Sequence, residues 1–139
     1  MAVQRMYPRL VVPDADAAID FYRAAFGAEL VERYTDGSGA VVHALLRAGG
    51  AEWAVKDGDD VDPAPSGPGA VILALEVDDP DAVAAAMVEH GGRVLFPVTD
   101  HDYGQRGGRL ADPFGHAWMV AAHADDLTPE QIQERTGRL

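Results

Sequence analysis

Cysteine is absent from the chain. That removes disulfides and thiolate metal ligands, and it fits a cytoplasmic protein without demanding one. Basic residues are scarce: 11 Lys and Arg stand against 23 Asp and Glu, a formal net charge of −12. Phosphate backbones need a clustered positive field, so no nucleic-acid partner is expected. Long apolar runs are missing as well. The longest, such as Ala82–Val88 and Ala117–Ala122, are far too short to cross a bilayer. The opening "MAVQRMYPRL" has no apolar core of the kind a secretory signal carries. No membrane association is expected, and the expected location is cytoplasmic.

What is present suits one small domain. A chain of 139 residues can bury a real core, and 47% hydrophobic with 24% charged residues is ordinary globular composition. The acidity serves solubility, and its field also favours cationic ligands at long range.

The order of elements runs twice. "MYPRLVV" is rich in β-formers and stops at Pro13; "PDADAAIDFYRAAFG" then has an acidic first turn and a glycine stop at Gly27. Ala18, Phe21, Tyr22 and Ala25 recur at helical spacing. Strand-like runs follow at Glu29–Thr35, Ala40–Arg47 and Ala51–Lys56, parted by the turn sequences "DGSG" and "AGG". "DGDDVDPAPSGPG" breaks the pattern and reads as a linker. Its aspartates lack the glycine and glutamate spacing of a calcium loop, so a solvated acidic segment is the plainer reading.

Beyond the linker come strand "AVILALEV", helix "DDPDAVAAAMVEHGG", and strands "RVLFPV", "GGRLA" and "HAWMVAAH". "LVVPDADAAIDFY" lies over "LEVDDPDAVAAAM", which places Val12 on Val77, Asp14 on Asp79 and Asp16 on Asp81. The organisation read from this is a first module over 5–57, a linker over 58–69, a second module over 70–123, and a short polar helical tail over 127–138. Thr128 is the N-cap of that tail and Pro129 its first helical residue.

Two βαβββ units in tandem, opened by "LVVPDADAAIDFYRAAFGAEL" and closed by Asp112-Pro113-Phe114-Gly115, resemble the vicinal oxygen chelate superfamily. That group takes in glyoxalases, extradiol dioxygenases and bleomycin-resistance proteins. "VVHALLRAGGAEWAVKD", "YGQRGGRLADPFGHAWMVAAH" and "DLTPEQIQER" further resemble its PhnB-like branch. The resemblance implies an α+β fold in which two modules form a curved, mixed-sheet cup, with helices on the convex side. It also implies a divalent metal in the enzymes, held by His and Glu on the first, fourth, fifth and eighth strands, and a tendency to form homodimers.

The metal positions can be counted. Seven residues before Asp14 stands Tyr7, and seven before Asp79 stands Ile72; four after Gly115 stands Met119, and the fourth-strand position is Ala54. Aliphatic and thioether groups do not hold hard or borderline divalent ions. The usual metal site is therefore read as missing and no cofactor is expected; a metal enters only with ligands relocated to His43, Glu52, Glu76 or His101. His116 follows the turn and reads as part of it. His90 suits the C-terminal end of its helix.

Strand alternation then assigns the binding face. Tyr7, Arg9, Ile72 and Met119 are expected to line the cup together with His43. His101, Tyr103 and Arg106 are expected to close it from the loop before the seventh strand. Trp53 and Trp118 are read as convex-face core residues, with stacking on a planar ligand as the other option. The expected function is small-molecule binding without a metal, in the manner of bleomycin-resistance proteins, for an antibiotic or another aromatic or cationic compound. The alternatives are a metal-dependent lyase, isomerase or dioxygenase with relocated ligands, or metal-free acid–base catalysis by Tyr7 or His43.

Overall fold

A computed structural model of the protein describes residues 1–67 and 69–139; Pro68, inside the expected linker, lies outside the described residues. The strands are β1 (Arg9–Val12), β2 (Glu29–Thr35), β3 (Val41–Ala48), β4 (Ala51–Asp57), β5 (Ile72–Glu76), β6 (Arg93–Asp100), β7 (Gln105–Ala111) and β8 (Ala117–His123). The helices are α1 (Ala15–Phe26), α2 (Pro80–Glu89) and α3 (Pro129–Thr136). They form two mixed sheets of four strands, ordered β1-β4-β3-β2 and β5-β8-β7-β6. In each, the outer strand before the helix pairs parallel with the last strand of its module, and the other pairs are antiparallel. This is the α+β arrangement of two βαβββ modules. No helix among the described residues is long and apolar enough to cross a membrane.

The chain divides into two compact units, Met1–Ala70 with Pro113–His116, and Val71–Asp112 with Ala117–Leu139. In the first unit Asp14 caps α1 by accepting from the Ala17 amide, and Gly27 closes it at φ 67°, where a side chain would be strained. The helix lays Ala18, Phe21, Tyr22 and Ala25 against Leu10, Val12, Leu46, Trp53 and Val55, all of them buried. Trp53 stands edge-on to Tyr22 and Phe26, at centroid distances of 5.6 and 6.1 Å. The end of the Asp-Pro-Phe-Gly turn, from Pro113 on, belongs to this unit. Phe114 meets Phe21 edge-on at 5.9 Å, and His116 Nε2 lies 2.9 Å from the Val11 carbonyl. His116 is thus a turn residue bonded to backbone.

In the second unit Asp79 caps α2 and Pro80 begins it, while Met87, Leu110, Trp118 and Val120 are buried. The Trp118 indole donates to Asp112 Oδ2 at 2.9 Å. Thr128 and Gln131 form a reciprocal capping box that starts α3, and no α3 residue is buried.

Each of the first two helices carries a first-turn aspartate that takes an arginine in two-pronged fashion. Arg33 donates to both Asp16 oxygens at 2.9 Å, and Arg106 to both Asp81 oxygens at 2.8 Å. The arginine hydrogen bonds hold both carboxyls below the ordinary aspartate range. A group with a depressed pKa stabilises the fold above its unfolded value, and that contribution disappears as the pH falls through the folded one. Arg106→Gln is therefore expected to melt below wild type at pH 7, with the gap closing below about pH 4, near the ordinary aspartate value. Thermal melts of both proteins across pH 3–7 check this; a gap that widens in acid contradicts it.

Candidate ligand-binding site

Each sheet has one face packed on its own helix and one face without a helix. In the first unit the helix-free face carries Arg9, Glu32, Tyr34, His43 and Glu52, as alternation and the pairings Tyr34↔His43, Glu32↔Leu45, Leu45↔Ala54 and Arg9↔Ala54 require. His43 sits between two partners. Its Nδ1 lies 3.2 Å from Arg9 Nη1 and its Nε2 lies 3.2 Å from Glu32 Oε2. A guanidinium can only donate, so Nδ1 accepts, and Nε2 carries the proton given to Glu32. The Tyr34 ring stacks on this imidazole at 5.9 Å. Tyr7 lies just before β1 under the Arg5 guanidinium, 4.6 Å from carbon to ring centre. Glu52 accepts from Arg5 at 2.8 Å and from Arg47 at 3.4 Å.

In the second unit the helix-free face holds Ile72, Ala74 and Glu76 on β5, Met119, Ala121 and His123 on β8, and Gln105, Gly107 and Arg109 on β7. A hollow of about 120 Å³ lies here, walled by Phe96, His101, Tyr103, Gln105, Arg109 and Met119. His101 stacks on Tyr103 at 5.0 Å with the rings 8° from parallel, and its Nε2 lies 3.1 Å from the Gly107 carbonyl. The loop carrying this pair is held by α3, where Arg135 donates to the Asp102 carbonyl at 2.9 Å. The floor is low because Gly107 has no side chain; a Cβ there would stand 2.8 Å from that of Ala121. A second hollow of about 390 Å³ shares Gln105 and Ala121 with the first and is bordered by Glu76, Asp78 and His123. Together they have the scale of a small-molecule site, on the order of 300 Å³ and above.

Arg109 is the unusual group. Its guanidinium carbon lies 5.4 Å from the centre of the Phe96 ring. Its Nε is buried with no hydrogen-bond partner among the described residues. An unsatisfied buried donor costs about 1–3 kcal/mol.

The sequence-derived residues separate as follows. Met119, His101 and Tyr103 meet at the smaller hollow, and Ile72 lies on the same sheet face, 45% exposed. Arg9 and His43 meet on the first sheet, with Tyr7 half-buried before β1. Arg106 corrects the expectation placed on it. Its strand begins at Gln105, so Arg106 falls on the helix face, where Asp81 and Asp100 hold it away from the hollow. Phe96, Gln105 and Arg109 went unread. Alternation opposite the buried Leu110 was the available signal for Arg109.

The four positions at which the resemblance implies metal ligands carry Tyr7, Ala54, Ile72 and Met119; alanine and isoleucine have no donor atom, and a phenol and a thioether suit a hard or borderline divalent ion poorly. Of the relocated set, Glu52 is paired with two arginines, His43 is bracketed by Arg9 and Glu32, and His101 is bonded to backbone. Among the described residues no group of three or more His, Asp or Glu is placed to hold a metal ion. Two of the linker's aspartates are engaged too: Lys56, 7% exposed, donates to Asp59 at 2.9 Å and Asp62 at 2.8 Å.

Comparison with known proteins agrees with this architecture. An uncharacterized protein of Mycobacterium bovis is 35% identical over 133 residues, covering 91% of this chain and 88% of its own length. An uncharacterized protein of Mycobacterium tuberculosis is also 35% identical, with 91% and 78% covered. Among solved structures, TioX from a Micromonospora species is 26% identical, with TM-score 0.66 over 90% of this chain and 100% of that one. A glyoxalase-related enzyme from Fulvimarina pelagi is 27% identical, with TM-score 0.69 over 87% and 89%. The model of the glyoxalase/bleomycin resistance protein/dioxygenase superfamily matches residues 5–120, and the chain belongs to that superfamily.

Proposed function

We propose that this protein binds a small molecule without a metal ion, sequestering an antibiotic or a related aromatic compound on the helix-free face of its second sheet. The observation that carries this reading is the setting of Met119. Where enzymes of the superfamily hold a metal-binding carboxylate, this chain has a thioether that walls a hollow next to a stacked His101–Tyr103 pair. Such a surface offers dispersion and ring stacking to a planar ligand, and a thioether is a poor ligand for a hard or borderline divalent ion. The net charge of −12 raises the local concentration of cations around the whole molecule.

The test is calorimetry against a panel of DNA-damaging antibiotics, on protein purified without chelator, before and after EDTA. At least one planar compound should bind with a Kd of about 10 μM or tighter, roughly 7 kcal/mol or more of binding free energy, and EDTA should leave that unchanged. Uniformly absent heat removes the proposal. A divalent ion at one per chain, with affinity lost on its removal, would overturn the metal-independent reading.

A further inference from the structure

We infer that the ligand taken by the second sheet is a planar aromatic compound carrying one acid group, with Arg109 as the residue that receives that group. The inference rests on the reading above and reverses the charge that bulk composition suggests for the ligand.

Of the six arginines on strands, three are matched to carboxylates among the described residues, and Arg9 lies against His43 and the Val42 carbonyl instead. Arg33 pairs with Asp16, Arg47 with Glu52, and Arg106 with Asp81 and Asp100. Arg109 belongs to no ion pair among the described residues. It lies on the helix-free face, walls the smaller hollow, and buries an Nε–H that donates to nothing there. A guanidinium that walls a hollow and belongs to no ion pair among the described residues is suited to an acid group, which its terminal N–H groups can meet with two parallel hydrogen bonds. Phe96 beneath the guanidinium holds the fork by cation–π attraction and still leaves its in-plane N–H groups to a ligand.

The rest of the hollow describes the rest of the ligand. His101 and Tyr103 lie 8° from parallel and present flat faces for stacking. Toward Gln105 the surface passes into the second hollow, where Glu76 and Asp78 are the acidic groups of the border and, among the described residues, no Lys or Arg lines it. By strand geometry Glu76 lies two strands and one row from Arg109, roughly 12 Å between Cα atoms. A second acid group pointing that way meets like charge, so the ligand is a monoanion whose other end is neutral or basic. The net charge of −12 slows the approach of an anion, and added salt should raise the association rate.

The experiment uses two probes, 8-anilinonaphthalene-1-sulfonate as a planar monoanion and acridine orange as a planar cation. Each is titrated by fluorescence into wild type, Arg109→Gln, Arg109→Lys and Arg93→Gln, an exposed β6 arginine outside the hollow. The expected result is one sulfonate site per chain, weakened tenfold or more by Arg109→Gln, less by Arg109→Lys and not by Arg93→Gln. Acridine orange should bind no worse to Arg109→Gln than to wild type. Equal affinity of the sulfonate for wild type and Arg109→Gln overturns the inference. So does a cation that binds wild type more tightly than the sulfonate, although that outcome leaves the small-molecule reading standing. If neither probe binds and the antibiotic panel is silent too, both fall together.

Discussion

Alanine at Trp53 should cost the first unit about 3–5 kcal/mol, the usual range for removing a fully buried indole. The residue is 2% exposed and makes edge-on contacts with Tyr22 and Phe26; Tyr22 in turn meets Phe21 and Phe114 at 5.5 and 6.3 Å. Removing the indole leaves a cavity between strand and helix that these rigid rings cannot fill by rotating. Against a total stability of about 5–15 kcal/mol, one such loss brings the unit close to unfolding at moderate temperature. The urea midpoint should fall accordingly, and Trp53→Phe should recover a good part of it. The same substitution settles the alternative in which the tryptophans stack on a ligand. Both indoles are 2% exposed and lie on the helix faces of their sheets. Ligand affinity measured well below the melting temperature should therefore be unchanged in Trp53→Ala. A stable variant that had lost binding would contradict the placement.

Helix ends and the duplication were legible because they depend on local chemistry. Asp14, Asp79 and Thr128 cap, Pro80 and Pro129 occupy first-turn positions, and Gly27 takes a positive φ. The strand runs carried their period, and the buried Leu10, Val12, Trp53 and Trp118 fell on the faces that alternation gives them. The site was less legible, and the difference between Arg106 and Arg109 shows why. "GQRGGRLA" contains two adjacent glycines, residues with little strand preference. Where the seventh strand begins is therefore invisible in the sequence. Once it begins at Gln105, parity sends Arg106 to the helix and Arg109 to the hollow. The His43 network depends on Glu32 coming beside it across β2 and β3, a pair with register shifts that no hydrophobic pattern encodes. Met119 could be found by counting, since the Asp-Pro-Phe-Gly turn fixes its position. What it faces needed the neighbouring strands.

Asp57 shows how much can rest on one carboxylate that the sequence presents as the first residue of a linker-like stretch. Its Oδ1 accepts from the Ala15 amide at 2.7 Å and its Oδ2 from the Val41 amide at 2.8 Å, so it ties the first turn of α1 to the start of β3. Both donors belong to buried residues, Ala15 at 0% and Val41 at 2% exposure, which leaves little water to replace the carboxylate. A charge-assisted hydrogen bond contributes roughly 1.5–3 kcal/mol, and an orphaned buried N–H costs roughly 1–3 kcal/mol. Asp57→Ala should therefore destabilise the first unit by about 3–5 kcal/mol, as much as loss of the indole, while deleting far less apolar surface. Asp57→Asn makes the mechanism specific. An amide has one accepting oxygen and one NH₂, so it satisfies one backbone donor and turns its own donors on the other. The asparagine variant should keep less than half of the wild-type benefit despite its near-identical shape. Urea melts of the three proteins decide it. If asparagine matches aspartate, the carboxylate is acting through shape alone. If alanine and asparagine fall together well below wild type, with faster hydrogen exchange at the Ala15 and Val41 amides, the double acceptor is what holds helix and sheet in register.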